Sequence, residues 1–123
     1  MNTPLRKFRF EDLEVWKMAI DIGNKLFDLA DHLENRKLFR FAEQLRASGM
    51  SLSNNIAEGS GSYSQREFRQ FLNYSRRSCF ECANIITVLL LRKLIEEQIK
   101  EQLFESLDIL SRKITNFQKT LKV

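Results

Sequence analysis

Apolar residues along this chain recur at steps of three and four and nowhere at the step of two that a half-buried strand requires, so helices are predicted throughout. From Glu11 onward two apolar series run side by side: Leu13, Trp16, Ile20, Gly23, Phe27, Ala30, and Val15, Ala19, Ile22, Leu26, Leu29, Leu33. At 3.6 residues per turn they cover an arc of roughly 200°, wider than one core needs, which predicts burial on two sides. A second helix carries Leu38, Phe41, Leu45, Ser48, Gly49, Leu52 and Ile56; a third carries Phe68, Leu72, Ser75, Cys79, Cys82, Ile86 and Leu89. The last has the most regular seam: Ile99, Leu103, Leu107, Leu110, Ile114, Phe117, Leu121. Four helices of roughly 20 to 30 residues, each about 30–45 Å long, predict an all-α fold, an antiparallel up-down-up-down four-helix bundle. The bundle domain is expected over residues 11–123, behind a basic-aromatic arm over 1–10 that contains Pro4, Phe8 and Phe10.

The breaks between helices are marked unequally. Asp31 to Asn35 read as the first connection, with Asn35 capping the second helix. Gly59 is placed as the stop of the second helix, where a left-handed residue is wanted, and Gly59-Ser60-Gly61-Ser62-Tyr63 as the loop that follows. Ser64 and Glu67 have the spacing of a capping box at the start of the third helix. The third connection is expected near Leu94 to Glu97. Between Gln44 and Gly59 small and polar residues outnumber good helix formers, so that helix must be held by neighbours packed closely against it.

Composition narrows the function more than it identifies it. The chain has 123 residues, four Gly, one Pro and a formal charge of +4. The charge is uneven: Glu11, Asp12, Glu14, Asp21, Asp28, Asp31 and Glu34 face only Lys17 and Lys25 in the first segment, whereas Arg66, Arg69, Arg76, Arg77, Arg92 and Lys93 face only Glu67 and Glu81 in the third. Such faces can meet one another, within or between subunits, or meet an external polyanion. No apolar run approaches the roughly 18 residues of a membrane span, and no signal-peptide core opens the chain, so a soluble cytoplasmic protein without membrane partners is expected.

Catalysis would need a nucleophile with its base, a paired acid and base, or a set of metal ligands. The sequence holds one histidine, His32, and one C-x-x-C, Cys79 and Cys82, in an apolar helical pattern that reads as buried thiols. The expectation is a protein that is not an enzyme, with no catalytic, cofactor-binding or metal-binding residues. Arg46, Asn55, Glu58, Gly59, Ser64 and Glu67 are read as structural. Asn55 is expected to bond backbone, and Glu58, near a negative helix pole, to need a cation such as Arg66, Arg69 or an arginine of another subunit. The candidate nucleic-acid-binding residues are Arg66, Arg69, Arg76 and Arg77, spanning about 15 Å of helix, with Arg36, Lys37 and Arg40 extending the patch.

Four blocks carry a resemblance to a known family: Phe10-Glu11-Asp12-Leu13-Glu14-Val15-Trp16, Gln44-Leu45-Arg46, Ser53-Asn54-Asn55-Ile56-Ala57-Glu58-Gly59, and Arg66-Glu67-Phe68-Arg69-Gln70-Phe71-Leu72. They resemble the signature of the 23S ribosomal RNA intervening-sequence proteins. The family usually has proline where this chain has Ser53, and a second basic residue where it has Ala47. The resemblance implies a four-helix bundle assembled as a ring-like homopentamer, with no enzymatic activity. It also implies kinship with accessory proteins of diversity-generating retroelements, which bind nucleic acid and a reverse transcriptase. Two roles follow: an oligomer binding structured RNA or RNA/DNA without sequence specificity, or a protein-binding scaffold, such as a reverse-transcriptase accessory subunit, whose charges serve assembly.

Overall fold

The computed structural model describes residues 7–123; most of the expected N-terminal arm, including Pro4, lies outside the described residues. A 3₁₀ turn at Arg9–Asp12 leads into α1 (Glu14–Asn35), α2 (Phe39–Ser60), α3 (Gln65–Leu91) and α4 (Glu97–Thr120). There is no strand among the described residues, and each helix packs antiparallel on the one before it. The α2–α3 loop, the 3₁₀ turn and the end of α4 therefore share one end of the bundle, called here the near end. The α1–α2 and α3–α4 turns share the far end. No helix of the described residues is long and apolar enough to cross a membrane.

The wide apolar arc of α1 divides between two neighbours. Val15, Ala19, Ile22, Leu26, Leu29 and Leu33 are buried in the common core. The other series faces α2, where Gly23 and Gly49 allow the helices to approach: a Cβ at Gly23 would lie 3.4 Å from the Gly49 carbonyl oxygen. Trp16, Ile20 and Phe27 on that side are half-buried. The core is completed by Leu45, Leu52 and Ile56 of α2, Phe68, Leu72, Ile86 and Leu89 of α3, and Leu103, Leu107, Leu110 and Ile114 of α4.

The weak helix former, α2, is held as its composition requires. Ser75 Oγ of α3 donates to the Leu52 carbonyl at 2.7 Å inside the core, and the buried Ser48 hydroxyl donates to the Glu81 carboxylate. Gly59 does not stop the helix. α2 continues through Ser60, Gly61 follows it with φ −86°, and no glycine has a positive φ among the described residues. The glycine at 59 instead serves contact, because a Cβ there would stand 2.6 Å from Phe71 Cβ and 2.9 Å from Phe68 Cδ1. Its missing side chain lets the start of α3 lie directly on the end of α2.

Two more breaks differ from the sequence reading. Asp31 to Asn35 are helical, so Asn35 ends α1 instead of capping α2, and Leu38 stands at the N-cap without a side-chain bond. At Ser64 half of the capping box forms: its Oγ accepts from Glu67 N at 3.1 Å, and no return bond from Ser64 N to Glu67 is made among the described residues.

The far-end turns share a motif. Arg36-Lys37-Leu38 and Arg92-Lys93-Leu94 each place lysine in the left-handed region, at φ 63° and 61°. In the first, Lys37 N donates to Glu34 O and Leu38 N to Leu33 O; in the second, Lys93 N donates to Leu90 O and Leu94 N to Leu89 O. These paired bonds close a helix end in the way that usually calls for glycine. The leucine after each lysine folds back toward the helix it leaves, with Leu38 and Leu94 packed against the core.

Candidate nucleic-acid interface

Along α3 the positions 66, 69, 73, 76 and 80 follow steps of three and four and so share one face. That face opens on the outer groove between α3 and α4. The register of the groove is fixed by neutral groups: Gln118 Nε2 donates to the Arg69 carbonyl at 3.0 Å, and Lys122 N donates to Gln65 Oε1 at 2.5 Å. Arg66, Arg69, Gln70, Asn73, Gln118 and Val123 line a shallow near-end cleft of about 360 Å³. Further along, the Arg76 guanidinium lies over the Phe80 ring, 5.2 Å from its centroid. Arg77 belongs to the adjoining face, where it lines a second polar cleft with Asn55, Tyr74, Ser78 and Glu81.

None of these four arginines has a carboxylate within 4.0 Å among the described residues, although other basic residues of the chain do. Of the two acids on α3, Glu67 stands at the capped start of the helix, and Glu81 accepts the Ser48 hydroxyl on the α2 side. The acidic α1 pairs elsewhere: Asp31 and Glu34 hold Arg46, at 2.7 and 3.1 Å, and Glu14 holds Lys113 of α4 at 2.7 Å. The bonds it donates to Asp31 and then Glu34 raise the Arg46 pKa further, fixing it as the charged tie between α1 and α2.

Arg36, Lys37 and Arg40 do not extend this patch. They lie at the far end, where Arg36 Nη1 donates to the Leu94 carbonyl at 2.8 Å and so bridges the two turns there. The antiparallel order of helices puts nearly the whole of α3, 27 residues or about 40 Å, between Arg66 and that end. Residues the sequence reading left out of the patch take their place. Lys119 and Lys122 are exposed at the near end, and the main chain of Lys122 is bonded to Gln65. The signal for them was the topology itself, since an antiparallel fourth helix must end beside the start of the third.

The structural residues take mostly local roles. Asn55 Nδ2 donates to the Ser51 carbonyl at 2.9 Å, a backbone bond one turn back in α2. Glu58 pairs with neither Arg66 nor Arg69 and has no cation within 4.0 Å among the described residues. α2 runs past it to Ser60, leaving the carboxylate in solvent, while Arg66 and Arg69 line the α4 side of α3. Cys79 and Cys82 are buried free thiols, and burial pushes both up to about 12, so they are poor nucleophiles near neutrality. His32 is exposed and borders an open cleft of about 820 Å³ between α1 and α4. Among the described residues, no three His, Cys, Asp or Glu side chains gather in a way that could hold a metal ion.

The fold has a solved counterpart. A crystal structure of a protein of unknown function from the S23 ribosomal protein family of Bacteroides thetaiotaomicron superposes with a TM-score of 0.82. It shares 21% sequence identity, and the match covers 85% of this chain and 98% of that one. No curated protein matches the sequence. The match that identifies the chain extends over residues 11–116, from the 3₁₀ turn into the last two turns of α4, and by it the chain belongs to the 23S rRNA-intervening sequence protein family.

Proposed function

We propose that this chain is a non-enzymatic protein that binds nucleic acid, structured RNA or an RNA/DNA intermediate, through phosphate contacts without sequence preference. The observation that carries this reading is the clustering of four arginines, Arg66, Arg69, Arg76 and Arg77, within twelve residues of α3, none with a carboxylate within 4.0 Å among the described residues. A guanidinium presents a planar fork of donors that matches a phosphate in two bonds, so unpaired arginines on a rigid helix suit a phosphate backbone. Contacts of this kind position a nucleic acid without reading its bases. Assembly as a homo-oligomer, a pentamer by resemblance, would repeat the surface and turn weak contacts into useful affinity.

The test is binding of labelled RNA by the purified protein across a salt series. Four phosphate contacts give log K a slope of about −3 to −4 against log salt on a duplex. Replacing Arg66, Arg69, Arg76 and Arg77 with glutamine abolishes most of that slope, whereas replacing Arg36, Lys37 and Arg40 leaves it in place. Equal loss from both sets, or no binding at low salt, overturns the reading. Sedimentation tests the assembly separately, and a monodisperse monomer would sink the pentamer.

A second reading has its own observation. Phe39 and Leu91 are left 55% and 75% exposed at the far end, which suits a protein partner more than a polyanion. In that reading the protein is a scaffold or accessory subunit, for example of a reverse transcriptase, and binding to that partner falls in Phe39→Ser and Leu91→Ser while nucleic-acid affinity does not change.

A further inference from the structure

The outer α3/α4 groove changes character along its length. In its near half it is lined by Arg66 and Arg69, with neutral Asn73 and Gln118 beside them, and Arg76 follows on the same face of α3. At mid-height the polar lining gives way to a slot of about 160 Å³ between Phe80 of α3 and Phe104 of α4, floored by Cys79, Ala83 and Leu107. Phe80 is 60% exposed, an unusual position for phenylalanine midway along a packed helix. One edge of the slot is continuous with the arginine row, because Arg76 rests over the Phe80 ring. On the α4 side the Lys100 ammonium lies 4.6 Å from the Phe104 ring centroid and is already paired with Glu97 and Glu101. From Arg66 to Phe80 the track is about 21 Å long.

A row of unpaired cations leading into an open aromatic slot matches a polynucleotide whose bases are unstacked. The backbone phosphates meet the cations, and a base, which has a π-face whatever its identity, stacks on the ring. A duplex can use the arginines but cannot offer a free base face, since its bases are stacked inside the helix. Ser111 and Asp108 on the α4 rim, the latter already paired with Arg112 at 3.1 Å, give a base edge polar partners without making a two-bond code for one base.

We propose that the α3/α4 groove selects single-stranded over double-stranded nucleic acid, holding phosphates along Arg66, Arg69 and Arg76 and stacking one base in the Phe80–Phe104 slot. The proposal rests on the nucleic-acid reading above and specifies its ligand. The cleft between α1 and α4 is larger, but it is open, of mixed charge around Lys25, Asp28 and Glu105, and the one ring among its lining residues is the imidazole of His32.

The experiment is fluorescence anisotropy of a labelled 15-nucleotide DNA strand, mixed in sequence, and of its duplex, at one fixed low salt concentration. The wild-type protein binds the single strand more tightly than the duplex. Phe80→Ala weakens single-strand binding by about 5- to 100-fold, the scale of losing one stacked base, and leaves duplex binding within about twofold. Phe80→Trp retains or strengthens the preference, and the retained duplex binding of Phe80→Ala excludes misfolding as the cause. Equal affinity for both forms, with Phe80→Ala neutral on each, overturns the slot while the salt slope and its loss in the arginine variants keep the broader reading. A loss in Phe80→Ala that is equal for strand and duplex also overturns it, since the ring would then act only by holding Arg76. Absence of binding to either form overturns both.

Discussion

Both ends of the bundle are basic, yet they use their cations differently. At the far end Arg36 donates to Leu94 O across the two turns, and Lys37 and Lys93 take left-handed conformations that close α1 and α3. At the near end the corresponding work is done by neutral groups: Ser64 caps α3, Gln118 takes the Arg69 carbonyl, and Gln65 takes the amide of Lys122. Arg66 and Arg69 are thereby left without a structural task. The lesson is that a count of positive charges does not locate a binding surface. A cation whose donors already satisfy a backbone carbonyl, as Arg36 does, belongs to the fold; cations such as Arg40, partnerless among the described residues, occur at the far end too, and Arg66 and Arg69 are set apart by lining one cleft together on a rigid helix face.

The sharpest way to break the near end is to fill its closest approach. In Gly59→Ala the added methyl would stand 2.6 Å from Phe71 Cβ, an atom fixed to the α3 backbone that cannot swing aside. The helices must separate, at a cost expected near 3 kcal/mol, the upper part of the usual overpacking range. Urea unfolding measures it. Gly61→Ala is the control: its nearest contact is the Glu58 carbonyl at 3.4 Å and its φ is −86°, so it should change stability by a few tenths of a kcal/mol at most. If both variants unfold alike, close packing at Gly59 is not what joins α2 to α3. At the far end Arg36→Ala removes the bond to Leu94 O and should cost about 1 kcal/mol, with no effect on nucleic-acid binding. A fall in binding at constant stability would place the far end in the interface after all.

Much of this division was legible in the sequence, and the rest failed for identifiable reasons. Periodicity located all four helices because each buries a continuous stripe, and small residues in α2 announced close packing. Gly59 is glycine for contact with Phe71 and Phe68, not for the left-handed stop its position suggests. Conformational freedom and the absence of a side chain look identical in a sequence, and only the position of Phe71 distinguishes them. The repeated Arg-Lys-Leu at the far end gives no stop signal in the sequence because lysine is not a usual left-handed residue, and α1 runs past the connection that Asp31 to Asn35 suggest. Arg36, Lys37 and Arg40 were joined to the α3 arginines by charge alone. The antiparallel order, already inferred, was enough to separate them by the length of a helix. The arginine stripe itself was legible, whereas the Phe80–Phe104 slot was not, since it depends on the register of α3 against α4, which two glutamines set.

A gain in stability is expected from the far-end turns themselves. A residue other than glycine in the left-handed region brings its Cβ close to a backbone oxygen, and Lys37 and Lys93 both accept that strain. Their neighbours explain why the turns hold: the paired bonds from Lys37 and Leu38, and from Lys93 and Leu94, satisfy carbonyls that the helix ends leave open, and the leucines add apolar burial. Glycine at either position keeps those bonds and relieves the strain, but it also gives the unfolded chain more freedom, which offsets part of the gain. Lys37→Gly and Lys93→Gly should therefore each stabilise the protein by about 0.5–1 kcal/mol, and together nearly additively, because the two turns use separate bonds. Both variants should bind nucleic acid as the wild type does. A variant that is more stable but binds less would show that these lysines serve a ligand as well as a turn, and the contrast between the two ends would no longer stand.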